Sequence, residues 1–169
     1  QEAGLLTKVY FPRIFIPFAY VLAGLLDFFI AYFISLIVAL CYGIPLKATL
    51  LLIPAFVFLM VLCATGIGVF LAAMNARFRD VRYAIPFLLQ LWMFASPIVY
   101  PSSMFPKPYR LIYALNPMAG IIEGFRASII GSHAFPFGII AVSAASAILL
   151  FCTGLVYFNR IERFFADIV

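Results

Sequence analysis

The sequence predicts an all-α integral membrane protein, and composition is the first reason. Hydrophobic residues make up 67% of the 169 residues and charged residues only 10%. A soluble domain is typically roughly 45–50% apolar and about 25% charged. The second reason is the length of the apolar runs, four of which are long enough to cross a bilayer as a helix, which takes roughly 20 residues. Much of this apolar surface must therefore face lipid.

The four predicted transmembrane helices cover residues 14–41, 48–74, 83–100 and 137–158. Helix is the predicted state because an open sheet leaves backbone groups unsatisfied in lipid. The runs are also continuous, whereas the strands of a membrane barrel alternate apolar and polar residues. A short turn that contains glycine and proline joins the first two helices.

The third and fourth predicted helices are separated by a long connection, residues 101–136. It begins with several prolines, which cannot continue a helix. An apolar piece follows and is broken at Asn116-Pro117. That piece is too short to span cleanly, so we predict one or two short re-entrant helices whose backbone is covered by protein or water.

Orientation follows from the lysines and arginines. One predicted side receives seven of the eleven: Lys8, Arg13, Arg77, Arg79, Arg82, Arg160 and Arg163. The other side receives four: Lys47, Lys107, Arg110 and Arg126. The excess predicts that both ends of the chain, the loop 75–82 and the tail 159–169 are cytoplasmic, and that 101–136 faces outward. Because these charges flank apolar runs, they suit lipid headgroups rather than nucleic acid.

The sequence predicts no catalytic residue and no metal site. It contains no phosphate-binding loop, no zinc-binding H-E-x-x-H and no G-x-S-x-G nucleophile elbow. Its single histidine and the spacing of its three cysteines match no metal or redox pattern. If ATP drives transport, another chain must hydrolyse it.

Asp27 lies near the middle of the first predicted helix, where a carboxylate is a functional candidate by default. We favour a structural role, in which Asp27 faces the bundle and bonds a neighbouring helix, near Tyr20 or Tyr32. In the third predicted helix, Gln90 and Trp92, with Ser96 about one turn further on, form a polar and aromatic stripe that would suit the wall of a transport path. Ordinary packing is the alternative.

Four further residues are candidates for a path or gate because they lie in or beside the outer connection. Glu123 and Arg126 are three residues apart and can pair on one helix face. We expect this pair to be exposed, and such a pair contributes about 0–1 kcal/mol. Tyr100 and Tyr113 fall near predicted membrane interfaces, where tyrosine is common without any further role.

Small residues recur every fourth position in the second predicted helix, at Ala64, Gly68, Ala72 and Ala76. They form one smooth face on which a neighbouring helix can approach closely. The sequence leaves open whether this face serves dimerisation or packing within one subunit.

Five segments in order carry a family resemblance: KVYFPR (8–13), NARFRDV (75–81), SPIVYP (96–101), NPMAGIIEGFR (116–126) and FNRIERFFAD (158–167). Together they resemble the permease subunit of type-2 ABC exporters for polysaccharides and polyol phosphates. That family includes O-antigen, capsule and teichoic acid exporters. The resemblance runs over essentially the whole chain.

The resemblance implies a protein with six spans, of which this chain supplies the last four and lacks the first two. It implies two permease copies in the bacterial inner membrane, among lipids, each bound to an ABC ATPase subunit. ATP and Mg²⁺ would bind that ATPase, and no cofactor would bind this chain. The substrate would be a lipid-linked glycan that crosses at the permease interface. The residues implied to couple to the ATPase fall in segment 1–13 and loop 75–82: Lys8, Tyr10, Phe11, Arg13, Arg77, Arg79, Asp80 and Arg82.

Three other functions stay open. A type-2 ABC exporter of a drug or small lipid would share the architecture. A membrane-embedded glycan-modifying enzyme would need a cluster of polar catalytic residues at one membrane face, and the sequence offers none. A passive membrane scaffold would need no chemistry at all.

Overall fold

The computed structural model describes residues 15–45, 47–78, 80–98, 100, 104, 106, 109–131 and 135–166, apart from the side chains of 15–17, 111 and 163–166. These residues form helices and no strand, which confirms the all-α class. In chain order the helices are α1 (Phe15–Cys41), α2 (Ile53–Arg77), α3 (Val81–Ala95), α4 (Arg110–Tyr113), α5 (Pro117–Ile130) and α6 (Phe137–Ala166).

Three of the described helical segments are long and apolar enough to cross a membrane: Phe18–Cys41, Ala48–Arg77 and Phe137–Glu162. The second begins with a 3₁₀ turn, Ala48–Leu52, that leads directly into α2. Pro54 lies in the first turn of α2, where its missing N–H removes no helical hydrogen bond. The three segments account for the predicted first, second and fourth spans.

The third predicted span, 83–100, is shorter than expected. The helix there, α3, has 15 residues, about 22 Å at 1.5 Å per residue, against a hydrocarbon core of about 30 Å. It ends because Ser96, which precedes Pro97, adopts an extended backbone with ψ 147°, as a residue before proline tends to do. A fourth complete span therefore stays a prediction.

Two helices extend past the boundaries that the sequence predicts. The second helix continues through the start of loop 75–82 to Arg77, and α3 begins at Val81. The helix α6 continues past residue 158 to Ala166. The predicted boundaries followed the onset of charge, but charge does not end a helix, and neither 75–82 nor 159–166 contains glycine or proline.

The centre of the fold is the contact between α2 and α6, which depends on glycine. A Cβ atom on Gly66 would lie 2.6 Å from the Cα atom of Phe151, and Gly154 faces Gly66 from α6. The two backbones therefore touch, as small residues allow in membrane helices. On either side of this crossing lie two clusters of buried side chains, Cys63 with Ile121 and Ala147, and Val69 with Ala73 and Phe158.

The short helix α5 packs against both α2 and α6. Its far end meets the 3₁₀ turn before α2, where Thr49 donates to the Ser128 carbonyl at 3.0 Å. Its first turn packs against Cys63 through Ile121. Because Cys63 is ten residues into α2, the first turn of α5 lies about 15 Å along α2 from the start of α2 at Ile53. The connection 101–136 thus contains short helices, and α5 is arranged to dip beside the long ones and return.

Candidate functional site

Asn116 connects the end of α3 to the start of α5. Its side-chain oxygen accepts hydrogen bonds from the Trp92 indole N–H and the Met118 backbone N–H, both at 3.1 Å. Its amide nitrogen donates to the Ala95 carbonyl at 3.0 Å and to Ser96 Oγ at 3.1 Å. One amide therefore satisfies four partners on two helices.

We call Trp92, Ser96, Asn116 and Ser143 the polar junction. Asn116 was not among the candidate site residues, although the break at Asn116-Pro117 is evident in the sequence. The signal was present, because asparagine before proline and an apolar run is the pattern of a helix N-cap followed by proline at the first helical position. Asn116 and Pro117 occupy these positions in α5.

Ser143 of α6 holds the same turn from the other side. Its buried hydroxyl donates to the Ala114 carbonyl at 2.8 Å and accepts from the Gly120 N–H at 2.9 Å. A Cβ on Gly120 would lie 2.5 Å from the Ser143 Cβ, so only glycine fits there. No sequence signal distinguishes Ser143 from Ser146, the other serine of α6, because the partners of Ser143 are 23 to 29 residues away.

Glu123 and Arg126 pair at 2.7 Å, but the expected exposure is wrong. Glu123 is only 9% exposed, since α5 packs against two long helices. Arg126 also donates to the Pro97 carbonyl at 2.9 Å. The pair therefore joins α5 to the segment after α3, whereas the sequence predicted that it would lie on an exposed helix surface.

Tyr100 and Tyr113 form a second bridge between α4 and the end of α3. The Tyr113 hydroxyl donates to the Tyr100 hydroxyl at 3.3 Å, which donates to the Phe94 carbonyl at 2.9 Å. Burial, and then the hydrogen bond to Tyr100, raise the pKa of the Tyr113 phenol, so it stays protonated and able to donate. The structure thus brings four candidate path residues from the outer connection to the end of α3: Tyr100, Tyr113, Glu123 and Arg126.

An open cavity of about 400 Å³ lies beside the polar junction, between α2, α3 and α5. Its wall includes Trp92 and Ser96, and otherwise it is almost entirely apolar, with Met60, Met93 and Met118 among its side chains. Gln90 is exposed on α3 but does not line this cavity. The structure therefore brings Trp92 and Ser96 of the predicted stripe to one cavity and leaves Gln90 apart from them.

Asp27 does not make the bond that the sequence predicted. It is exposed on α1, and no residue that the structure describes pairs with it. The side chain that turns inward is its neighbour Phe28, whose ring lies 5.3 Å from that of Phe125. The carboxylate therefore sits on a face of α1 that the described residues leave uncovered.

The turn between α2 and α3 carries exposed charge at the far end of the bundle from α5. Arg77 stacks on Phe78, with 5.2 Å between guanidinium carbon and ring centre. Arg82 stacks on Tyr83 at 4.7 Å and donates to its hydroxyl at 2.7 Å. We call residues 77–82 the arginine turn.

Three of the predicted coupling residues lie in the described part of the arginine turn, and all are exposed: Arg77, Asp80 and Arg82. The described residues of the turn make backbone hydrogen bonds, among them Phe78 N–H to the Met74 carbonyl at 2.7 Å. The other coupling candidates fall outside the described residues: Lys8, Tyr10, Phe11, Arg13 and Arg79.

The chain resembles curated proteins of one kind. Over 168 residues it is 32% identical to the O-antigen export system permease protein RfbA of Myxococcus xanthus, a match that covers 97% of this chain and 64% of that protein. Two RfbA proteins of Klebsiella pneumoniae are 26% and 27% identical over 169 residues, 99% of this chain and 65% of each. The chain thus spans slightly less than two thirds of the length of these relatives. Residues 1–130 match the ABC-2 type transporter family, and the chain belongs to that family.

Proposed function

We propose that this chain is the membrane-spanning part of an ATP-driven exporter. Its substrate would be a lipid-linked polysaccharide of the O-antigen, capsule or teichoic acid type, moved across the bacterial inner membrane. The observation that carries this proposal is the 32% identity to an O-antigen export permease over 97% of the chain. The long apolar helices and the buried polar contacts of α5 support it.

A separate ABC ATPase, which holds ATP and Mg²⁺, docks on the arginine turn. The support is physical: Arg77, Asp80 and Arg82 are exposed together at the end of two apolar helices. The segment 1–13, with its own basic and aromatic residues, is the companion surface. The excess of basic residues at this end supports a cytoplasmic location for both ends of the chain.

The helix α3 transmits movement from the arginine turn to the polar junction. It begins one residue after Asp80, and it has no buried residue of its own. Its other end is bonded to Asn116, while Arg126 holds the Pro97 carbonyl just beyond it. A push at the turn would therefore move α3 and load its bonds to Asn116 and Arg126, because α5 is itself held by α2 and α6.

The substrate path lies where two copies of the permease meet, and the outer end of α3 is its gate. The two bridges there, Glu123–Arg126 with Pro97 and Tyr113 with Tyr100, would have to shift when the path opens. Trp92 in the cavity wall offers an aromatic face of the kind that suits the flat C–H surface of a sugar ring.

A complementation experiment tests the proposal. The full-length gene would be expressed with its ATPase in a strain that makes O-antigen but lacks its exporter. We expect polysaccharide on the cell surface, detected on intact cells, and loss of the lipid-linked intermediate that accumulates inside. ATPase that cannot hydrolyse ATP is the control. If glycan stays inside while resistance to an apolar drug appears, the exporter carries small molecules; if neither changes, a scaffold is the better interpretation.

A further inference from the structure

Glu162 is a carboxylate that α6 turns toward the other helices at one end of the bundle. The apolar run of α6 ends at Phe158, but the helix continues for about two further turns. Glu162 lies one turn beyond the buried Phe158 and two turns beyond Leu155, and residues at these spacings share one helix face. Glu162 is accordingly half-buried, whereas Arg160 on the opposite face is exposed.

The end of α6 lies across α2 from α3. The helices α2 and α6 run in the same direction, and the rings of Phe70 and Tyr157 are 4.9 Å apart, so the two helices end at a similar depth. The helix α2 turns Val69 toward α6 but turns Leu71, on its opposite face, toward the cavity beside α3. The arginine turn, which leads from α2 to α3, therefore runs away from α6. Glu162 thus faces a separate part of this end of the bundle.

No residue that the structure describes forms an ion pair or hydrogen bond with the Glu162 carboxylate. Arg160 and Arg163 are two positions and one position away on the same helix, so neither can face it. Arg77 and Arg82 stack on the aromatic rings of the arginine turn instead. Because a nearby cation stabilises a carboxylate that is partly removed from water, Glu162 favours a basic partner from outside the described residues.

The start of α1 approaches the same place. Phe18 of α1 and Leu155 of α6 line one apolar cavity of about 400 Å³, and Tyr20 shares a groove with the last turn of α2. Arg13 precedes Phe18 by five residues, a stretch of chain that can span up to about 17 Å. Glu162 lies only about 10 Å beyond Leu155 along α6. Arg13 can therefore reach the depth of Glu162.

We propose that segment 1–13 docks on the end of α6 and that Arg13 pairs with Glu162. The pairing joins opposite charges, and a guanidinium can meet a carboxylate with two parallel hydrogen bonds. Lys8 is five residues further from α1 and offers only a point charge. Arg79 lies in the arginine turn, which leads away from α6. An anionic lipid headgroup would be repelled by the carboxylate, so the occupant is protein.

The pair would fasten the segment to the unit that α2 and α6 form through their glycine contact. Under the proposed function the ATPase docks at two places, segment 1–13 and the arginine turn, and the second is continuous with α3. An ATPase that moves one place against the other would then move α3 relative to α2 and α6. Glu162 is therefore a positioning residue for one docking place. This consequence rests on the proposed function, whereas the pairing itself does not.

Disulfide trapping in the full-length protein tests the pairing. With all native cysteines replaced by serine, Arg13→Cys would be combined with Glu162→Cys or with Arg160→Cys. Arg160 is the matched control, since it lies at a similar depth on the opposite face of α6. After mild oxidation of membranes, peptide mass spectrometry without reduction counts the joined peptides. We expect the Glu162 pair to be joined at least about fivefold more often than the Arg160 pair, because a disulfide forms only across a short distance.

Exchange of the two charges separates this pairing from a direct contact with the ATPase. Glu162→Arg alone and Arg13→Glu alone should each lower the copurified ATPase about fivefold. The double exchange should return it to within about twofold of the parent, whereas a direct contact of Arg13 with the ATPase would not be rescued. Because a bound ATPase would shield the end of α6, protease accessibility reports chain orientation in membranes that lack the ATPase.

Three results would overturn the proposal. The first is equal trapping of the Glu162 and Arg160 pairs. The second is a disulfide that joins two copies of the protein instead of two parts of one chain. The third is a double exchange that retains no more ATPase than the weaker single variant. If the parent itself retains no ATPase, the proposed function fails, but the trapping still decides the pairing.

Discussion

Asn116 engages all of the hydrogen-bonding capacity of its amide: two donors and two acceptor positions meet four partners. We predict that Asn116→Ala lowers the stability of the purified protein by about 1–3 kcal/mol, because it removes a helix cap and leaves partly buried groups unpaired. Thermal unfolding in detergent measures this. Gln90→Ala is the control, because Gln90 is exposed on α3 and its truncation should change the melting temperature little. Equal melting temperatures for Asn116→Ala and the parent would contradict the prediction.

For the Glu123–Arg126 pair we expect a different result, because the Glu123 carboxylate is buried. Removal of one member of a buried pair costs more than replacement of both by neutral groups. Arg126→Met alone should therefore destabilise the protein more than Arg126→Met combined with Glu123→Gln, by about 1 kcal/mol or more. Chemical unfolding of the two variants gives the difference. If the second change adds to the loss instead of relieving it, the pair is held by packing and not by charge.

At the scale of the helices, the glycine contact between α2 and α6 can be tested against an open glycine. We predict that Gly66→Ala destabilises the protein, because the new methyl group would lie 2.6 Å from the Phe151 backbone, which cannot move away alone. Gly138→Ala is the control, because nothing lies within 4 Å of its Cβ position. Alanine favours helix over glycine by about 1 kcal/mol, so Gly138→Ala should be neutral or stabilising in a thermal unfolding assay. Similar losses in both variants would refute the contact.

The elements that sequence predicts well are those whose signal is local. Apolar length alone identifies α1, α2 and α6, because a lipid-spanning helix needs a long uninterrupted run. The end of α3 depends on Ser96-Pro97, a local signal that was present but outweighed by continued apolarity to Tyr100. The candidate site was harder to predict from sequence, because its contacts join distant residues. Asn116 bonds Trp92, which is 24 residues earlier in the chain, and Gly66 of α2 contacts Phe151 of α6. Such partners are set by packing, which a single sequence does not encode at any fixed spacing.

At the scale of the whole molecule, charge and polarity are segregated to opposite ends of the bundle. The arginine turn is exposed at one end, whereas the bonds of Glu123 and Arg126 tie α5 toward the other. Between them α3 has no buried residue, while α2 and α6 are locked by glycine contacts. This difference in packing suits a molecule in which α2 and α6 stay fixed to each other while α3 moves beside them.

Charge reversal in the arginine turn tests whether the ATPase docks there. Arg77→Glu together with Arg82→Glu should reduce the ATPase that copurifies with the full-length permease by about tenfold or more, because close like charges at an interface oppose association. Arg77→Lys with Arg82→Lys keeps the charge but loses planar stacking on Phe78 and Tyr83, and should retain more ATPase. Basic residues beside a span can also set the orientation of a membrane chain, so the protease accessibility of the tail 159–169 must match the parent in both variants. With orientation preserved, full ATPase retention by the glutamate variant would exclude the turn from the docking surface.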